Sequence, residues 1–370
     1  MDLHQNLCDE GKTVDKKVTI RDVAAKAGVS ISSVHFALNG QSGVSEETRS
    51  RIRRVAQEMG YQPNPLASNL KRRTQRIAIL LPSDEGEGQY YYQTMWFGVR
   101  DYIAKANVKL DPVELPFSDH NKIERFQQMA ALAETGELHG ILTVGHIDEA
   151  ETEAGWRAVM AKDIPVVSIG SDLMRCHCLC CIQPEYDVIG RTMAQLITDH
   201  IPPFGSILLC AGNPKWAAHT LVVRGFEDYM RENGCENLVY RDNSWLISQK
   251  NYEKIFEKLS RPDIAAACCV YSQGTVMLGQ ALEESRKASR IYAVGSDLPE
   301  TTADRIRRGV INIAIQKNPY AQGYVGIRYL VEYLSSGKIP EEDRIYVGSE
   351  VVLKSNLMMY ENEHYRYLLQ

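Results

Sequence analysis

An all-α helix-turn-helix headpiece joined to a two-lobed α/β body of two parallel, doubly wound sheets is the fold predicted for this chain. Three observations predict it. Apolar residues recur at helical spacing up to Gly60, interrupted by a glycine-centred turn. Beyond Arg76, short β-rich runs alternate with helical stretches, as in parallel sheets covered on both faces. The charge divides at the same place: Lys16 to Arg76 carries 12 Lys and Arg against 4 Asp and Glu, a net of +8, and the other residues carry 30 against 43, a net of -13. A basic head on an acidic body points to a polyanionic partner at one end only.

The bulk composition sets the frame. At 370 residues, 44% hydrophobic and 24% charged, the chain has room for two or three folded units. No apolar run reaches the ~18 residues that span a bilayer. Met1 to Lys17 lacks the apolar core of a signal peptide, so a cytoplasmic location is expected. Nine cysteines, an odd number, fit reduced thiols better than a secreted disulfide framework.

The head begins at Thr19, whose hydroxyl is placed to cap a helix with Asp22 in the capping-box position. Ile20, Val23, Ala24 and Ala27 mark its apolar face. Gly28 takes the turn, Ser30 caps a second helix over Ile31 to Leu38, and Asn39-Gly40 ends it. A third helix follows Ser45, carries Glu46 and Glu47 in its first turn, and turns Ile52, Val55, Ala56 and Met59 inward before Gly60. Arg49, Arg51, Arg53 and Arg54 are expected on or beside its exposed side. Tyr61 to Thr74 then reads as a basic, helix-capable linker between two prolines and the first strand of the body.

The runs Val18-Thr19-Ile20-Arg21-Asp22-Val23-Ala24-Ala25-Lys26-Ala27-Gly28-Val29-Ser30, Val44-Ser45-Glu46-Glu47-Thr48-Arg49 and Gly60-Tyr61-Gln62-Pro63-Asn64 occur in order. Through them the chain resembles the lactose-repressor (LacI/GalR) family. The resemblance implies a homodimeric, sequence-specific DNA-binding regulator, a repressor in its usual sense, on a pseudo-palindromic operator. It implies a hinge helix that forms on DNA, with Leu70 wedged into a minor-groove step and Lys71 beside it. A helix of roughly ten residues is marginal by itself, which fits folding on DNA; simple linker packing is the alternative for Leu70. Matching positions make Ile31, Ser32 and Phe36 the base readers, and place Thr19, Ser30, Ser33, His35 and Asn39 near phosphates. Ile31 and Phe36 lack the bidentate donors that read guanine or adenine, so thymine methyls are the expected contacts. A core position is the alternative for Phe36, and His35 departs from the serine usual in the family.

In the body, Ile77–Leu81, Gly140–Val144, Pro165–Ile169, Ile207–Cys210, Ala266–Tyr271 and Ile291–Val294 read as strands. Ligands of doubly wound folds bind at the carboxyl ends of strands, so a cleft between lobes is the expected site. His146 and Asp172 follow strand ends and should line it. Ser171-Asp172, Gly190-Arg191, Arg224-Gly225-Phe226, Val294-Gly295-Ser296-Asp297 and Gln316-Lys317-Asn318-Pro319 make the body similar to type I periplasmic sugar-binding proteins. That resemblance implies a sugar-like effector. Asp297 and Gln316 would bond its hydroxyls, Glu185 and Gln273 would occupy further pocket positions, and Tyr90, Tyr91 or Tyr92 with Trp96 would supply stacking rings. Relatives commonly carry Arg shortly before the Gly-Phe pair. Thr220 and Val222 stand there instead, with Trp216 and His219 nearby, so stacking replaces a guanidinium clamp. Arg224 reads as a surface residue on a helix flank.

These readings divide the chain into a disordered extension (1–17), a helix-turn-helix DNA-binding domain (18–63), a hinge (64–74) and an effector-binding, dimerising body (75–370). Lobe one is expected at about 76–183 and 317–346, lobe two at about 184–316 and 347–370. Cys176-His177-Cys178-Leu179-Cys180-Cys181 offers thiolates and imidazole, but alternation along a strand throws neighbouring side chains to opposite faces. A strand entering the second lobe is the expectation there, with metal or thiol-redox sensing as the rival. No Walker sequence, Gly-x-Ser-x-Gly elbow or His-Glu-x-x-His stands in the sequence, so neither catalysis, cofactor nor metal is predicted. A transport-type solute-binding protein is the remaining alternative; it would lack the basic head.

Overall fold

The computed structural model describes residues 20–38, 44–59, 61, 74–147, 150–246 and 248–361. The chain separates into two compact units, Met1–Arg72 and Arg73–Gln370.

Among its described residues the first unit holds three helices: Ile20–Ala27, Ile31–Leu38 and Glu46–Glu58. Gly28 joins the first two with φ +66°, a left-handed conformation that glycine adopts without a Cβ penalty. Ser30 Oγ accepts from the Ser33 N–H at 3.1 Å, and Ser45 Oγ from the Thr48 N–H at 3.3 Å. Both helix starts are therefore capped by their own serines. Val23, Ala24, Ala27, Val34, Ala37, Ile52, Val55 and Ala56 form the core. Half of these are alanines, so the buried apolar area is small, and each cap, worth about 1 kcal/mol, is a sizeable share of the unit's stability.

Among the described residues the second unit contains two six-stranded sheets. One has the order β11-β5-β4-β3-β1-β2, where β1 is Gln75–Leu80, β2 Leu110–Glu114, β3 Gly140–Val144, β4 Val166–Ile169, β5 Cys180–Gln183 and β11 Arg344–Tyr346. All its pairs are parallel. The other has the order β12-β10-β9-β8-β6-β7, with β6 Ser206–Cys210, β7 Val239–Asp242, β8 Ile264–Cys269, β9 Tyr292–Ser296, β10 Ile313–Gln316 and β12 Glu350–Leu353. Only the edge strand β12 runs antiparallel, against β10. The interior strands β3, β4 and β6 are buried along their whole length, as expected of strands with helices on both faces.

The chain passes between the sheets three times: from β5 into the helix Tyr186–Thr198, from β10 into the helix Pro319–Ser336, and from β11 to β12. In each lobe, glycines let two helices touch backbone to backbone. A Cβ on Gly190 would lie 1.9 Å from the Val222 carbonyl oxygen of the helix Ala217–Glu232, and one on Gly98 would lie 2.2 Å from that of Tyr320. Separate hydrophobic cores fill the two lobes. Among the described residues no helix is long and apolar enough to cross a membrane.

Candidate functional site

The loops at the carboxyl ends of the strands meet between the two sheets. Asp297 follows β9 with φ +61°, and Asn318 follows β10 with φ +52°. Asp and Asn tolerate this region better than other non-glycine residues, and backbone strain of this kind collects at binding sites. Asn318 Oδ1 accepts from the Ala321 N–H at 3.0 Å and starts the helix Pro319–Ser336. Lys317, between them, is drawn into the cleft floor.

Lys317 Nζ is 2.9 Å from Asp297 Oδ2 and donates to the Val270 carbonyl at 3.0 Å. Burial holds the Asp297 carboxyl above its ordinary value, and the Lys317 ammonium opposes that shift. The ammonium also lies 5.5 Å from the centre of the Tyr91 ring. Gln322 Nε2 donates to the Tyr91 hydroxyl at 2.9 Å and to the Lys317 carbonyl at 2.7 Å. Two amide oxygens in this region, Gln316 Oε1 and Gln322 Oε1, are buried without a hydrogen-bond partner. Acceptors of this kind are rare in folded proteins and mark a place where a further donor would be favourable.

Rings form the walls. From lobe one come Tyr91 and Tyr92, edge to face at 5.2 Å, and His146, 5.8 Å from Phe117. From lobe two come Trp216 and His219, 5.1 Å apart, and Tyr271, 5.2 Å from His219. The lobes meet where His146 stacks on Trp216, centroids 5.0 Å apart and planes 27° apart. A second meeting point is polar: Ser272 Oγ donates to the Tyr90 carbonyl at 2.6 Å. His219 Nδ1 accepts from the Asn213 N–H at 3.0 Å, so its ring is neutral. Burial pushes His219 and His146 down to about 3, with Lys317 adding for the first and Lys122 for the second. The Tyr91 and Tyr92 hydroxyls are pushed upward by burial and stay protonated.

Of the positions expected in the cleft, Tyr90, Tyr91, His146, Trp216, His219, Asp297 and Gln316 fall in this assembly, and Gln273 is half-buried at the start of the helix Ser272–Glu284. Three expectations are corrected. Trp96 is a fully buried core residue: its Nε1 donates to the Pro82 carbonyl at 2.7 Å and Arg100 covers the ring at 4.8 Å. Asp172 is exposed and pairs with Arg344 of β11 at 2.5 Å, because that edge strand brings the guanidinium to it. Glu185 is exposed at the helix start with no capping bond, and the next residue, Tyr186, turns into the buried interior instead. Lys317, Gln322, Tyr271 and Phe117 were not anticipated. The signal for Lys317 and Gln322 lay beside Gln316, one residue past the strand and on the first turn of the next helix.

In the head, the face of Ile31–Leu38 bearing Val34 and Ala37 is turned to the core. Ser30 is exposed and Ser33 half-buried, their hydroxyls 2.9 Å apart. The side chains of Ile31, Ser32, His35 and Phe36 lie outside the described residues, as do Thr19, Asn39, Leu70 and Lys71. Arg51, Arg53 and Arg54 are exposed, but Arg49 is tucked in, donating to the Ala37 carbonyl at 3.4 Å and pairing with Glu46 at 3.3 Å. It ties the third helix to the second.

The cysteine-rich run is part loop and part strand; its strand β5 lies in the first sheet, and the chain passes from it into the second lobe. Burial pushes the Cys180 and Cys181 thiols up to about 12, so both remain neutral at physiological pH. Among the described residues no group of His, Cys, Asp and Glu could hold a metal ion.

Residues 77–339 match the family described as periplasmic binding protein domain, and residues 19–64 match the bacterial regulatory proteins, lacI family. The chain belongs to the lacI family of regulators. This lacI-family chain is 23% identical over 328 residues to catabolite control protein A of Staphylococcus aureus, covering 88% of the chain and 94% of that relative. It is 23% identical over 358 residues to the HTH-type transcriptional regulator pepR1 of Lactobacillus delbrueckii subsp. lactis, covering 92% and 98%. Its body is similar in fold to a putative LacI transcriptional regulator from Bacteroides fragilis (TM-score 0.66, 18% identity, 78% of this chain, 100% of that one). A glucose-galactose binding protein from Geobacillus stearothermophilus is similar to the same degree (TM-score 0.66, 19% identity, 77% and 99%). The lacI-family chain is thus a DNA-binding transcriptional regulator with a periplasmic-binding-protein-like body.

Proposed function

We propose that this regulator is a cytoplasmic homodimer that holds a pseudo-palindromic operator and is controlled by a sugar or sugar derivative bound between its lobes. The observation that carries the effector reading is the pair of unpartnered amide oxygens, Gln316 Oε1 and Gln322 Oε1, beside a wall of rings. Hydroxyl hydrogens satisfy the first and the C–H face of a sugar ring suits the second. Relatives in fold include a glucose-galactose binding protein and a solute binding protein with bound D-allose, which supports the same class of ligand.

The two-lobed architecture supports a route for regulation. A ligand seated beside the His146–Trp216 contact changes how the lobes meet, and an effector acts by favouring one lobe arrangement over another. On the DNA side, Ile31, Ser32 and Phe36 are proposed to read bases, with Thr19, Ser30, Ser33, His35, Asn39 and Lys71 at the backbone and Leu70 as the minor-groove wedge. Two heads are needed because one half-site binds weakly.

A thermal-shift screen of the full chain across neutral sugars tests the effector, since a cognate ligand stabilises the body by mass action. A hit must also change operator affinity in an anisotropy titration. No shift with any sugar would refute the effector reading. Unaltered affinity and DNA bending in Leu70→Ala would refute the wedge.

A further inference from the structure

Outside the cleft, at the carboxyl end of β7, the loop from Asp242 to Leu246 and the helix Gln249–Leu259 border an open groove of about 620 Å³. Its size lies within the ~300–1,000 Å³ range of ligand pockets, and nothing in the regulatory reading uses it. Trp245 forms part of its wall, and the centre of that ring is 5.4 Å from Trp216, which in turn stacks on His146 in the cleft. One run of rings therefore passes from the cleft to this pocket.

The lining specifies the chemistry. Two acids, Asp242 and Glu257, and two lysines, Lys254 and Lys258, balance one another. Asp242, almost wholly buried, is already held by Lys258 at 2.5 Å and by the Ser244 N–H at 2.8 Å. No net charge remains to select a phosphate or a carboxylate. Neutral polar groups at Asn243, Ser244 and Asn251 stand beside the half-exposed Trp245 and the exposed Leu246. Hydroxyl-bonding groups next to a flat apolar face are what a neutral pyranose or furanose requires. The loop is also tied to the cleft wall, because the Tyr271 hydroxyl donates to the Ser244 carbonyl at 2.6 Å.

We propose that the pocket beside Trp245 is a second sugar subsite, so that the effector is a neutral disaccharide or longer glycoside with one unit in the cleft and the next on Trp245. This rests on the reading of the cleft as a sugar site. Occupying both subsites uses one ordering cost for two sets of contacts.

The test is calorimetric titration of the full chain with glucose, galactose, xylose and arabinose, and with maltose, cellobiose, lactose and xylobiose. A disaccharide is expected to bind at least about tenfold more tightly than its own monosaccharide. Lys254→Ala, at an exposed position, and Trp245→Ala should each erase most of that advantage, and Trp245→Phe should keep it. Equal affinity for a monosaccharide and its dimers, or equal losses for both in Trp245→Ala, would overturn the subsite while leaving the cleft reading intact. Binding of no saccharide of either length would overturn both. Tighter binding of glucose 6-phosphate than of any disaccharide would overturn the neutral-ligand assignment.

Discussion

Lys317 Nζ stands 2.9 Å from Asp297 Oδ2, with both side chains almost wholly buried. The cleft carboxylate is thereby neutralised by the chain itself. Truncating one partner of a buried pair strands the other charge, at a cost of about 3–5 kcal/mol. Lys317→Met should lose stability on this scale in urea unfolding of the body, and adding Asp297→Asn should recover most of it. A Lys317→Met protein as stable as the parent would show that the pair carries no structural weight.

His219 supplies a pH dependence. Burial pushes the folded imidazole down to about 3 from an ordinary 6.5. Below ~6.5 the unfolded chain takes up a proton that the folded chain refuses, so the unfolded state binds more protons and stability falls as pH drops. The slope approaches ~1.4 kcal/mol per pH unit for this group, and His146 contributes in the same sense. Unfolding measured between pH 7.5 and 5 should show the loss, and His219→Gln, which keeps an acceptor for the Asn213 N–H, should flatten it.

Gly190→Ala should be costly. Its Cβ would stand 1.9 Å from the Val222 carbonyl oxygen, forcing apart two helices in backbone contact, and overpacking costs about 1–3 kcal/mol or more. Alanine at Gly348, where a Cβ would meet nothing within 4 Å, is the control and should leave the melting temperature nearly unchanged.

Asp172→Ala should cost no more than about 1 kcal/mol, the ordinary worth of an exposed ion pair, and should leave the effector response intact. Gln316→Leu should instead weaken effector binding by about tenfold, as loss of a hydrogen bond of ~1 kcal/mol or slightly more implies. Titrating both variants with the same sugar separates a surface contact from a pocket contact.

Ser45→Ala removes the cap on the third helix of the head and should cost about 1 kcal/mol. Operator affinity in a mobility-shift titration should fall accordingly, while the melting of the body stays where it was.

The architecture was readable because its causes are local. Glycine at 28, serines at 30 and 45, and the alternation of β-rich and helical runs act within a few residues of themselves, and the elements appear where those signals place them. Cleft residues were legible where a strand end delivers them, as with Asp297, His146 and Trp216. They were missed or misplaced where a helix phase or a distant strand decides. Glu185 and Tyr186 differ by one position on a helix, enough to turn one outward and the other inward. Asp172 follows a strand as His146 does, yet Arg344, far along the chain, claims it at the surface. Trp96 was expected to stack on a ligand, and its indole is spent on the Pro82 carbonyl.

By itself the sequence determined the element order, the basic head, the parallel-sheet body and the family, because propensity, capping and charge are properties of short segments. Tertiary structure alone decided that Lys317 neutralises Asp297, that His146 and Trp216 meet across the lobes, and that Trp245 extends this wall to a second pocket. The physical reason is that these contacts join segments distant in the chain. Whether a side chain is paired, stacked or left with an unmet hydrogen bond depends on what the fold brings against it.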